Sequence, residues 1–92
     1  MIKSFKHKGL ERFFNTGNSK GIQQAHKTRL EERLTALNTA FVIEDMNVSG
    51  WRLHSLKGGG DRQWAINVSG NWRIVFKFEE GQAWDVNYED YH

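Results

Sequence analysis

The sequence predicts an α+β domain: a short N-terminal strand and two helices packed on one face of a mainly antiparallel, twisted sheet. Two observations carry this. Apolar residues recur at helical spacing through the first half of the chain and switch to alternation from Trp51 onward. The chain is 92 residues long, the length of one domain, so residues 1–92 read as a single folded unit with no room for a second core.

Ile2–Phe5 alternates weakly and reads as a short strand. Over His7–Asn15, Leu10, Phe13 and Phe14 share one helical face, and Gly17 supplies a stop. A longer helix is expected from about Ile22 to Ala40, with Leu30, Leu34, Leu37 and Phe41 as its stripe, Ile22 in line, and Lys27, Arg29, Glu31, Glu32 and Arg33 mostly outside it. Val42–Asn47 reads as one further turn, which Ser49-Gly50 ends. Trp51–Leu56 then reads as a strand, followed by the Lys57–Gly60 loop. Trp64/Ile66/Val68, Trp72/Ile74/Phe76/Phe78 and Trp84/Val86/Tyr88 are three alternating runs separated by Ser69-Gly70-Asn71 and Glu80-Gly81-Gln82, an antiparallel meander. Keeping Val68 and Trp72 on one face requires an odd number of loop residues or a bulge, and three-residue loops are the expectation. All four Trp are assigned to the core. The helices must then cover the Trp/Ile/Phe face, leaving Arg52, His54, Arg73, Lys77, Asp85 and Asn87 on the other.

Composition removes several function classes. Zero Cys excludes a disulfide framework, a thiolate zinc site and a Cys nucleophile. The four His show neither i, i+4 pairing nor HExxH spacing, and no GxxxxGK[ST] loop is present, so neither metal nor cofactor is expected. No apolar run is long enough to span a membrane, and the first residues do not read as a signal peptide, so a cytoplasmic location is expected. Residues 1–60 hold ten Lys/Arg against five Asp/Glu, whereas residues 61–92 hold three against six. That asymmetry and a pI near 9.1 fit a polyanionic partner as well as an ordinary basic surface.

The polar sheet face carries the candidates for chemistry. Arg73, between Trp72 and Ile74, can hold a phosphate from a rigid strand, or pair with Asp85 or Asp90. Lys57 opens the glycine loop as a mobile cation or a solvated loop residue. His92 adjoins its own carboxylate and lies two residues from Asp90, so negative charge favours its imidazolium; proton transfer and a frayed polar tail are the two readings. Tyr91 can stack on a base or pack at the sheet end.

Four segments in order, Met1–Leu10, Arg52–Gly58, Asn71–Phe76 and Asn87–His92, resemble the HigB toxins, RelE-like members of bacterial type II toxin–antitoxin systems. The resemblance covers essentially the whole chain. It implies a RelE-like fold and a metal-independent endoribonuclease that enters the A site of the 30S subunit of 70S ribosomes and cuts mRNA. In that scheme the ribose 2′-OH attacks the adjacent phosphate, leaving a 2′,3′-cyclic phosphate and a 5′-OH. The implied partner is a HigA antitoxin with a helix-turn-helix domain, through which alone the toxin meets DNA.

The family's functional positions fall on His54, Lys57, Asn71, Arg73, Asp90, Tyr91 and His92. The roles this implies are phosphate stabilisation by Arg73, a second cation at Lys57, proton transfer by His92, orientation by Asp90 and a base contact by Tyr91. His54, Arg62, Asn71 and Lys77 are the RNA-binding candidates. Where relatives carry an additional Arg before the turn, this chain has Asn67 and Ser69, with Arg62 as a nearby substitute, and its glycine loop is richer in Gly. Two other readings predict different behaviour: a non-catalytic ribosome- or RNA-binding inhibitor would act by occupancy, and a free ribonuclease would degrade naked RNA.

Overall fold

The computed structural model describes residues 1–56 and 62–91. It is an α+β fold with helices α1 (Lys8–Thr16) and α2 (Lys27–Thr39) and strands β1 (His54–Ser55), β2 (Gln63–Ser69), β3 (Trp72–Glu79) and β4 (Gln82–Asp90). The strands form one antiparallel sheet in the order β1-β2-β3-β4. The N-terminal segment lies parallel to β4, bridging at Ile2 with Ala83 and at Phe5 with Val86, which makes the sheet mainly antiparallel.

The termini of α1 follow from its capping residues. The neutral Nδ1 of His7 accepts the Leu10 amide at 3.0 Å. Gly17, at φ 80°, closes the helix by donating its N–H to the Phe13 carbonyl. The second helix is shorter than the apolar periodicity indicates: Gln24–His26 is a separate 3₁₀ turn and α2 begins at Lys27. Ile22 is buried, but from the loop before the helix. Phe41 is a correction to the expected stripe. The chain leaves helical geometry at Ala40 (φ −68°, ψ 134°), and Phe41 is 85% exposed.

Leu10 and Phe13 of α1 and Leu30, Leu34 and Leu37 of α2 meet Ile66, Val68, Ile74, Phe76, Val86 and Tyr88 of the sheet in one core. Under its β2–β3 end sits an aromatic cluster: the Trp72 ring lies 4.6 Å from Tyr88 and 5.6 Å from His26, and His26 Nδ1 is 2.6 Å from the Tyr88 hydroxyl. Burial, then the nearby Arg29 charge, holds the His26 imidazole below its ordinary value.

The expected three-residue loops are replaced by two-residue turns, Gly70-Asn71 and Glu80-Gly81, with a register shift in each ladder. Glu80 (φ 51°) and Gly81 (φ 74°) both have positive φ, the backbone of a tight hairpin turn. Phe78 therefore pairs with Ala83, and Ala83 rather than Trp84 faces the core. Asp85, at φ 53°, is then the extra residue that turns Val86 and Tyr88 back inward. Trp84 consequently points outward at 41% exposure, whereas Trp51, Trp64 and Trp72 pack against the core. The other shift lies between Asn67 and Ser69, leaving Val68 buried. Arg33 of α2 donates to the Asn67 carbonyl at 2.8 Å, and Arg29 to the Val68 carbonyl at 3.3 Å. The expected Trp51–Leu56 strand is reduced to His54–Ser55, since Arg52 adopts φ 52°.

Candidate nucleic-acid site on the polar sheet face

The face opposite the helices carries an open groove of about 600 Å³, walled by Arg52, His54, Asn67, Asn71, Arg73 and Tyr91, with Ser55, Leu56 and Gln63 along its floor and edge. No carboxylate lines it among the described residues. Three strands and the chain after β4 contribute to it, so its geometry depends on sheet register.

Arg73 is the most tightly held of these side chains. It stands opposite Glu89 across the β3–β4 ladder. One Glu89 oxygen accepts from both Nε, at 2.9 Å, and Nη2, at 2.8 Å. The guanidinium carbon lies 4.0 Å from the centroid of the Tyr91 ring. The Tyr91 backbone N–H donates to the Asn71 carbonyl at 2.7 Å, fastening the end of the chain's last strand to the β2–β3 turn. That turn is braced in its own right, as Asn67 Nδ2 donates to the Gly70 carbonyl at 2.9 Å. His54 is exposed, with Nδ1 at 2.8 Å from the Arg52 carbonyl.

The sequence candidates divide by location. Arg73, Tyr91, Asn71 and His54 line the same groove. Asp90 ends β4, opposite Trp72. Lys77 lies in an adjoining groove with Lys6, Asp85, Asn87 and Glu89, its Nζ 3.6 Å from the Asp85 carboxylate; the two grooves share Arg73, Leu56 and Gln63. Arg62 stands apart. It pairs with Glu79 at 2.8 Å and lines a different, largely apolar groove with Phe41, Val42 and Trp64. Lys57 and His92 lie outside the described residues.

Sequence reasoning missed Glu89, and the register explains why. Counted from the Glu80-Gly81 turn without interruption, Arg73 would face Tyr88; the single extra residue at Asp85 moves its partner to Glu89. Arg33 was placed outside the apolar stripe, yet it is 6% exposed, over the Trp51 ring at 4.8 Å, with the Asn67 and Arg29 carbonyls as acceptors. It acts from the opposite face by bracing the bulge that precedes the Asn71 turn.

Comparison with known proteins gives two matches over nearly the full chain or all of it. The model of the RelE-like toxin of type II toxin–antitoxin system HigB matches residues 3–92. Endoribonuclease HigB of Proteus vulgaris is 47% identical over 92 residues, covering 100% of both chains.

Proposed function

Because this chain belongs to the RelE-like HigB toxins of type II toxin–antitoxin systems, we propose that it is a ribosome-dependent endoribonuclease that cuts mRNA in the A site of the 30S subunit. The observation that carries the reading is the groove whose fixed cation, Arg73, stacks on Tyr91 and which no carboxylate lines among the described residues. A polyanion enters such a groove favourably, and a pre-oriented guanidinium stabilises charge that develops on a phosphoryl oxygen. The name of the Proteus vulgaris relative, an endoribonuclease, supports the same chemistry.

In the proposed reaction the ribose 2′-OH loses its proton and its oxygen bonds to the adjacent phosphorus. The bond from phosphorus to the 5′ oxygen breaks, and that oxygen takes up a proton. The products are a 2′,3′-cyclic phosphate and a 5′-OH. Arg73 faces the phosphoryl oxygens with Lys57 as a second cation; His92 carries the proton on the 5′ side, and Asp90 orients it. Tyr91 offers a ring edge and face to an A-site base, while His54, Asn71 and Lys77 contact the strand and Arg62 meets RNA beyond the groove. No metal or cofactor enters these steps. The partner is an antitoxin of the HigA type, whose helix-turn-helix domain provides the only contact with DNA, and the setting is the cytoplasm, where 70S ribosomes translate.

The test is cleavage of a short mRNA on 70S ribosomes, with a ribosome-free control. Site-specific cutting only on the ribosome is expected. Deleting His92 should reduce it by roughly 10²–10⁴-fold, the usual contribution of a positioned acid–base group. Equal cutting of naked RNA would overturn ribosome dependence. Inhibition of translation without any cutting would overturn catalysis.

A further inference from the structure

We propose that Glu89 is a positioning residue for Arg73, fixing which edge of the guanidinium faces the phosphate; the inference rests on the functional reading above. The guanidinium is constrained in two independent directions. Within its plane, Nε and Nη2 both donate to one Glu89 oxygen, at 2.9 and 2.8 Å. Normal to its plane, the Tyr91 ring lies 4.0 Å away. Neither constraint alone would suffice, since the ring leaves the fork free to spin and the carboxylate leaves it free to tilt.

The consequence is selective. A guanidinium has five N–H donors, and Glu89 takes two of them. The parallel pair that remains is the outer edge, Nη1 with Nη2, spaced to meet two oxygens of one phosphate. The pair is partly shielded, with side-chain exposures of 16% for Arg73 and 36% for Glu89, so solvent screens it less than a fully exposed ion pair. Glu89 stands behind the cation, in the adjoining groove, while Arg73 lines both. This arrangement keeps the Glu89 carboxylate out of the groove that Tyr91 and His54 line. Geometry at the carbonyl-type oxygen is what matters, so a glutamine should serve and an alanine should not.

The experiment is single-turnover cleavage of ribosome-bound mRNA by the full chain, comparing Glu89→Ala, Glu89→Gln, Arg73→Ala and the Arg73→Ala/Glu89→Ala double variant. Glu89→Ala should lose about 10–100-fold in the maximal rate, the scale of a misplaced catalytic group, with half-saturation within threefold of wild type. Glu89→Gln should stay within threefold, because its amide oxygen still accepts from both nitrogens. The double variant should be no slower than Arg73→Ala, since Glu89 acts only through Arg73. A Glu89→Ala rate within threefold of wild type overturns the proposal, and so does an equal loss in Glu89→Gln or a further loss in the double variant. If Glu89→Ala does not fold, Glu89→Thr, which keeps strand propensity, takes its place. A second readout needs no activity: the Arg73 Nε–H resonance should be slowly exchanging in wild type and Glu89→Gln, and lost in Glu89→Ala. Failure of wild type to cut on ribosomes would overturn the functional reading, and the resonance would still decide whether Glu89 fixes Arg73.

Discussion

A single buried cation organises more of this protein than its place on a charged helix indicates. Arg33 donates to the carbonyls of Asn67 and Arg29 and spreads over Trp51, so its charge is solvated by backbone oxygens and an aromatic face. Burial, offset partly by Glu32, lowers its pKa, yet an arginine stays protonated there. Arg33→Met keeps the apolar stem and takes the side-chain donor from the Asn67 carbonyl, while the Arg29 carbonyl keeps its helical partner. The expected cost is about 1–3 kcal/mol in urea denaturation, the penalty for orphaned buried polar groups. An unchanged midpoint would show that water replaces the guanidinium without loss. Residue by residue, the sequence discloses which side chains can do chemistry and hides which ones meet. Arg73, Tyr91, Asn71 and His54 gather in one groove as their alternation and the family resemblance indicate. Glu89 could not be read, because its pairing depends on one bulge residue far along the strand.

The elements themselves were largely legible. The 3.6-residue period of Leu30, Leu34 and Leu37 and the two-residue period after Trp64 correspond to α2 and to β2–β4. What escaped was how parity is restored. An odd loop and an even loop with a bulge satisfy the same alternation, and the hairpin geometry selects the second. Periodicity points Trp84 and Phe41 inward because it cannot see where it is interrupted. Two expectations follow for the β3–β4 hairpin. Glu80→Asn places a residue tolerant of positive φ at the exposed turn and should raise stability by about 0.5–1 kcal/mol, read as a higher unfolding temperature. Asp85→Val puts a β-branched side chain at φ 53° and should lower it by about 1–3 kcal/mol. If both leave the transition unmoved, the bulge does not hold the strand's register.

Across the whole molecule, two neutral imidazoles tie folding to pH. Burial holds both His7 and His26 below the ordinary value of 6.5; a backbone hydrogen bond partly offsets this at His7, and Arg29 adds to it at His26. The unfolded chain therefore binds more protons than the folded one as pH falls through 6.5. Stability is complete above that point and declines below it. Unfolding temperatures should drop between pH 7.5 and 5.5, above the carboxylate range, and His7→Asn should flatten part of the drop because its amide oxygen keeps the Leu10 cap without titrating. A profile identical to wild type would remove His7 from the linkage. The same aromatic cluster that shelters His26 gives the protein a built-in optical gauge. Trp72 lies against Tyr88 and His26 and directly precedes Arg73 on β3, so its emission senses both the ionisation of a quenching imidazole and any shift of the strand beneath a bound phosphate. With Trp51, Trp64 and Trp84 replaced by Phe, Trp72 is the one tryptophan left, and a change at the neighbouring groove becomes visible as light from a native fluorophore, without a label on RNA or protein.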